Sequence, residues 1–89
     1  MNRVYTVEIT SVARRQIRHL SRSMRDRIIS RLYALADNPR PPGVIKVKGR
    51  RRRDEYRIRV GNYRVIYQIN DDMLVVLIVR VADRREAYR

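Results

Sequence analysis

Apolar residues recur along this chain with two different periods, and the change of period divides it into two halves. Near the start, Val4, Thr6 and Glu8 alternate with Tyr5, Val7 and Ile9, which predicts a strand over residues 4–9 whose second set faces a core. Thr10 and Ser11 can cap a short helix in which Ala13, Ile17 and Leu20 fall at i, i+4 and i+7, leaving Arg14, Arg15 and Arg18 outward. Ser23 followed by Asp26 resembles a capping box with Asp in place of Glu. From there Ile28, Leu32, Leu35 and Ala36 carry a second apolar stripe to a helix end near Asn38-Pro39. Residues 39–43, PRPPG, hold all three prolines and can neither continue a helix nor join a ladder easily.

Beyond the prolines the period falls to two. Residues 44–48 read as a strand, and GRRRRD as a basic loop. In residues 55–60 Tyr56, Ile58 and Val60 share one face while Arg57 and Arg59 take the other. Gly61-Asn62 is a two-residue hairpin signal, because both residues tolerate positive φ; it leads into a strand over residues 63–69. Asn70-Asp71-Asp72 then turns the chain into residues 73–81, whose near-continuous apolarity predicts a central strand covered on both faces. The tail from Ala82 lacks alternation and fits a final helical turn. The expected fold is one small α+β domain over residues 1–89: a strand, a two-helix hairpin, then an antiparallel sheet with the helices on one face.

Charge changes the picture. Among 89 residues, 22 Lys plus Arg stand against 9 Asp plus Glu, a net +13, and Lys occurs only at Lys46 and Lys48. A guanidinium presents donors in a fixed plane, pairs bidentately with phosphate and stays protonated, so it stabilises charge but does not readily shuttle protons. Nucleic acid or an acidic protein is the natural partner of such a surface, with a host of Arg-favouring codons the bland alternative. No apolar run approaches the roughly 20 residues of a spanning helix, so no membrane association is expected. The absence of Cys excludes thiol nucleophiles, Cys-ligated zinc and disulfides. The start lacks the apolar stretch of a secretion signal, which makes the cytoplasm the expected compartment. His19 is the only imidazole, so no His-based acid–base pair or multi-His metal site can be assembled, and neither metal nor cofactor is expected. Asp71-Asp72 fits turn chemistry, and Tyr5, Tyr33, Tyr56, Tyr63 and Tyr67 fit core or sheet packing.

Counting outward from a two-residue turn pairs Val60 with Tyr63, Arg59 with Arg64 and Ile58 with Val65. Like charges then oppose each other with Cβ atoms about 5 Å apart, which destabilises a sheet. Arg57 lies on the same face, with Ile66 and Gln68 flanking. A bound polyanion would account for the arrangement; the alternative is long side chains splaying into water. Arg84 and Tyr88, four apart, share one side of a helical turn, with Arg85 and Arg89 on the next stripe, although terminal segments fray. The four consecutive cations Arg50, Arg51, Arg52 and Arg53 suit contact with a phosphate field or form a solvated loop.

The block YRIRVGNYRVIYQINDDMLVVLIVRVADRREAYR, residues 56–89, resembles the carboxy-terminal half of the RelE/ParE toxin superfamily, specifically the RelE branch of ribosome-dependent mRNA interferases. The strand–helix–helix opening, the NPR segment at 38–40 and VIKVKG follow the family's order, so the resemblance extends over the whole chain. It implies a metal-independent endoribonuclease that enters the ribosomal A site and cuts the messenger with the RNA's own 2′-OH as nucleophile. Carried over residue by residue, the catalytic positions are Arg57, Arg59, Arg64, Arg84 and Tyr88. Lys46, Lys48, Arg50, Arg51, Arg52, Arg53 and Arg85 are the expected contacts to RNA and ribosome. Asp83 departs from the family, many of whose members carry a basic or imidazole residue there. An acidic RelB-like antitoxin is the implied partner, with the free toxin monomeric. Two other readings stay open: a ParE-like inhibitor of DNA gyrase, and a non-catalytic RNA- or ribosome-binding protein.

Overall fold

A computed structural model of the chain describes residues 4–47 and 54–83. Its elements are β1 (Thr6–Ile9), α1 (Ser11–Arg18), α2 (Arg22–Asp37), β2 (Ile45–Val47), β3 (Glu55–Val60), β4 (Tyr63–Asn70) and β5 (Val75–Asp83). The strands form one sheet in the order β1-β5-β4-β3-β2. Every neighbouring pair is antiparallel except β1 and β5, which run parallel with Thr6 opposite Val75 and Ile9 opposite Ile78. The antiparallel run β2–β5 is as expected, and β1, whose partner the sequence does not indicate, makes the sheet mixed. Alternation reveals which face of a strand is apolar but carries no information about its direction.

Thr10 caps α1, its Oγ1 accepting from Ala13 N at 3.1 Å. The cap of α2 is Ser21, whose Oγ accepts from Met24 N at 3.2 Å, and not the expected Ser23. With α1 already closed at His19, Ser21 is the residue whose extended backbone (φ −59°, ψ 155°) can cap, and Ser23 falls inside the first turn. Ala13, Ile17, Ile28, Leu32 and Leu35 from the helices pack on Tyr56, Ile58, Val60, Val65, Tyr67, Val76, Ile78 and Val81 from the sheet. Fully burying each large apolar side chain contributes about 1.5–3 kcal/mol. Tyr33, expected to pack, is 72 % exposed, because one residue past Leu32 is 100° around the helix from the buried stripe.

β4 extends to Asn70, whose side-chain oxygen accepts from Met73 N at 3.0 Å. Met73 and Leu74 consequently belong to the turn, Leu74 with φ +55°, and β5 begins two residues later than the apolar run. Nor is β5 covered on both faces. Val76, Ile78 and Val81 are buried, whereas Val75, Leu77 and Val79 are only half-buried. The interior place of β5 in the sheet is nevertheless as expected.

One polar cluster ties the proline segment to the sheet. Arg40 donates to both carboxylate oxygens of Asp71 at 3.1 and 2.9 Å and to Tyr56 Oη at 3.3 Å, while Tyr5 Oη donates to Asp71 at 2.7 Å. The hydrogen bond it donates to Asp71 holds the Arg40 guanidinium even more firmly protonated than usual. Beneath it, Tyr67 is fully buried, stacks on Tyr56 at 5.8 Å and donates to the Pro39 carbonyl at 2.7 Å. Burial pushes its phenol up to about 12. Among the described residues no helix is long and apolar enough to cross a membrane.

Candidate active site

The helices cover one face of the sheet, and chemistry collects on the other. Gly61, with φ +59°, closes the β3–β4 hairpin in a conformation that favours glycine. The register that follows pairs Val60 with Tyr63, Arg59 with Arg64 and Ile58 with Val65, as the count from the turn predicts. One step further Arg57 lies opposite Ile66. On its other side β4 pairs Ile66 with Arg80 and Arg64 with Ala82. Two rows thus cross three strands on the uncovered face: Arg57–Ile66–Arg80 and Arg59–Arg64–Ala82.

Arg57, Arg59 and Arg64 line a cleft of about 300 Å³ together with Gly43, Ile45 and Ile58. Arg57 and Arg64 are half-buried and Arg59 is exposed. Arg57 Nε is buried and has no hydrogen-bond partner among the described residues, a donor left without an acceptor. Ile66 is only 3 % exposed although it points away from the helices and stands outside the core cluster, so it forms an apolar floor between arginine stems. Cations over a floor from which water is excluded act on an anion more strongly than they do in bulk water.

The remaining expected site residues distribute differently. Lys46 lies opposite Tyr56 in the β2–β3 ladder, hence on the helix-covered side of the sheet, and pairs with Asp54 at 3.2 Å. The structure does not bring it to the arginine face. Lys48, Arg50, Arg51, Arg52, Arg53, Arg84, Arg85 and Tyr88 lie outside the described residues; of the tail expected to form a helical turn, Ala82 and Asp83 instead continue β5, paired with Arg64 and Tyr63. Asp83 is the last residue of β5 and pairs with Tyr63, one step beyond Arg64 and Ala82. His19 is exposed at the C-cap of α1. Among the described residues no three His, Asp or Glu side chains gather in a metal-ligand arrangement.

Arg80 is the member of the cluster that sequence reasoning missed. The available signal was its being the lone cation in a largely apolar strand, which forces it off the core side.

A two-helix layer on a five-stranded mixed sheet, with arginines gathered on the face away from the helices, makes a small basic α+β domain. Residues 7–88 match the family model of the ParE toxin of type II toxin–antitoxin systems, and the chain belongs to this RelE/ParE superfamily. Toxin RelG of Mycobacterium tuberculosis is 34% identical over 86 residues, covering 96% of this chain and 97% of the relative. The archaeal RelE–RelB complex from Pyrococcus horikoshii superposes with a TM-score of 0.82 at 31% identity, over 91% of this chain and 96% of that one. Isolated E. coli RelE gives a TM-score of 0.75 at 27% identity, over 94% and 90% of the two chains.

Proposed function

We propose that this toxin is a ribosome-dependent endoribonuclease of the RelE kind, which inhibits translation by cutting messenger in the A site. The observation that carries the reading is the opposed Arg59–Arg64 pair with Arg57 beside it, three guanidinium groups gathered on one sheet face in the arrangement a polyanion binds. In-line attack of a 2′-OH on the adjacent phosphate builds negative charge on the phosphoryl oxygens while the P–O5′ bond breaks, leaving a 2′,3′-cyclic phosphate and a 5′-hydroxyl; the 2′-OH gives up one proton and the departing 5′ oxygen takes one up. Arg57, Arg59 and Arg64, joined by Arg84, stabilise that charge, where loss of one good donor typically costs on the order of 100-fold or more in rate. Tyr88 is the remaining group for proton transfer. Such modest acid–base equipment fits an enzyme whose substrate is positioned by the ribosome.

The relatives crystallised with RelB support an antitoxin as the partner, and an acidic one would complement this charge. In a translation extract the purified protein should yield messenger cut at ribosome-occupied codons, with Arg64→Ala and Arg84→Ala slower by orders of magnitude. Intact messenger at saturating toxin ends the proposal. Because the matching family model takes its name from ParE, inhibition of gyrase is the second reading, and a supercoiling assay separates the two.

A further inference from the structure

The strand β5 changes the face it presents partway along, and the change delivers a cation to the arginine cluster. Val76 and Ile78 point into the core, so strict alternation would turn residue 80 inward as well. Instead the β4–β5 register shifts between Ile66 and Tyr67: Tyr67 pairs with Ile78 and Ile66 with Arg80, leaving Val79 as an extra residue. Val81 resumes the core side and Arg80 emerges on the uncovered face, exposed. A bulge of this type re-aims a side chain and disrupts the ladder locally. The N-cap of α1 and a residue within that helix bond to the backbone beside it. Thr10 Oγ1 donates to the Val79 carbonyl at 2.8 Å, and Gln16 Oε1 accepts from Val81 N at 2.6 Å.

Arg80 stands two strands from Arg57, about 10 Å at normal strand spacing, with the buried Ile66 between them. Long side chains rising on either side of this buried residue can hold successive phosphates of one strand. Such a contact is made equally before and during reaction, so it governs how RNA is held and not how fast the bond breaks.

We propose that Arg80 is a further RNA-phosphate contact of this face and that Gln16, by clamping the bulge, is the residue that positions it; the proposal rests on the nuclease reading. The kinetic test uses cleavage on programmed ribosomes. Arg80→Ala should raise KM about tenfold with kcat little changed, and Arg80→Lys should recover part of the loss. The second test is anisotropy of a labelled, unstructured RNA oligonucleotide, in which Arg80→Ala should weaken binding and lower the salt slope by about 0.7. Gln16→Leu should reproduce the KM defect, Gln16→Glu should restore it by keeping the acceptor, and Gln16→Leu should add nothing in an Arg80→Ala background. Wild-type binding and KM in Arg80→Ala overturn the contact. Additive effects of Gln16→Leu and Arg80→Ala overturn the positioning role. If the wild-type toxin fails to cut messenger, the nuclease reading falls, and the anisotropy arm still decides whether Arg80 touches RNA.

Discussion

Reversing one charge of the opposed pair should make the protein more stable and less active at the same time. Arg59 and Arg64 face each other across the hairpin, and their guanidinium groups, taken about 7 Å apart, repel in water by about 0.6 kcal/mol. Arg59→Glu turns that repulsion into an attraction of similar size, a swing of about 1.2 kcal/mol before screening. With a Debye length of about 8 Å at physiological salt, roughly half survives. For a domain of this size the gain corresponds to a rise in Tm of about 2–5 °C, larger at low salt, with Arg59→Gln gaining about half as much. Cleavage in the extract should fall at least about 100-fold for Arg59→Glu, because an anion then stands where a phosphate has to sit. Differential scanning fluorimetry across a salt series, paired with primer extension on the messenger, reads both quantities. A lower Tm at low salt, or cleavage within twofold of wild type, would refute the reasoning.

Three further outcomes follow from the fold. Tyr67→Phe leaves the buried Pro39 carbonyl without its donor and should cost about 1–3 kcal/mol in urea unfolding. The same phenol predicts an alkaline limb. Below about pH 10 both folded and unfolded chains keep the proton. Between there and about 12 the unfolded chain loses it first, so stability drops by about 1.4 kcal/mol per pH unit, a limb that Tyr67→Phe should flatten. Gly61→Ala places a Cβ 2.8 Å from Met24 Cε at a φ of +59°; the flexible Met24 tip can move aside but the backbone cannot, and a loss of about 1–2 kcal/mol by thermal unfolding is expected.

How much of this was legible in the chain depends on whether local chemistry decided the outcome. The hairpin register was, because Gly61-Asn62 fixes the turn and the turn fixes every later pair, including Arg59 with Arg64. The helix stripes were, because Ile28, Leu32 and Leu35 repeat at helical spacing. Failures occurred where a distant element decided. The parallel union of β1 with β5 joins segments about 70 residues apart in sequence and leaves no local mark. The choice of Ser21 over Ser23 depends on where α1 stops. Arg80 escaped notice because the bulge that turns it outward is held by Thr10 and Gln16 from outside the strand, and its charge within a near-continuous apolar run was the one local hint of a slip in register. Lys46 was grouped with the basic loop by proximity in sequence, whereas its ladder partner Tyr56 puts it on the other side of the sheet.

The central claim is that arginines on the uncovered sheet face stabilise attack by the messenger's own 2′-OH. Ribosomes programmed with a messenger carrying a single 2′-deoxynucleotide at the position 5′ to the cut test it most directly. The account predicts that wild-type toxin binds these ribosomes as usual and leaves that linkage intact, while cutting the all-ribose control at the same codon. Equal cleavage of the deoxy and ribose messengers would contradict it.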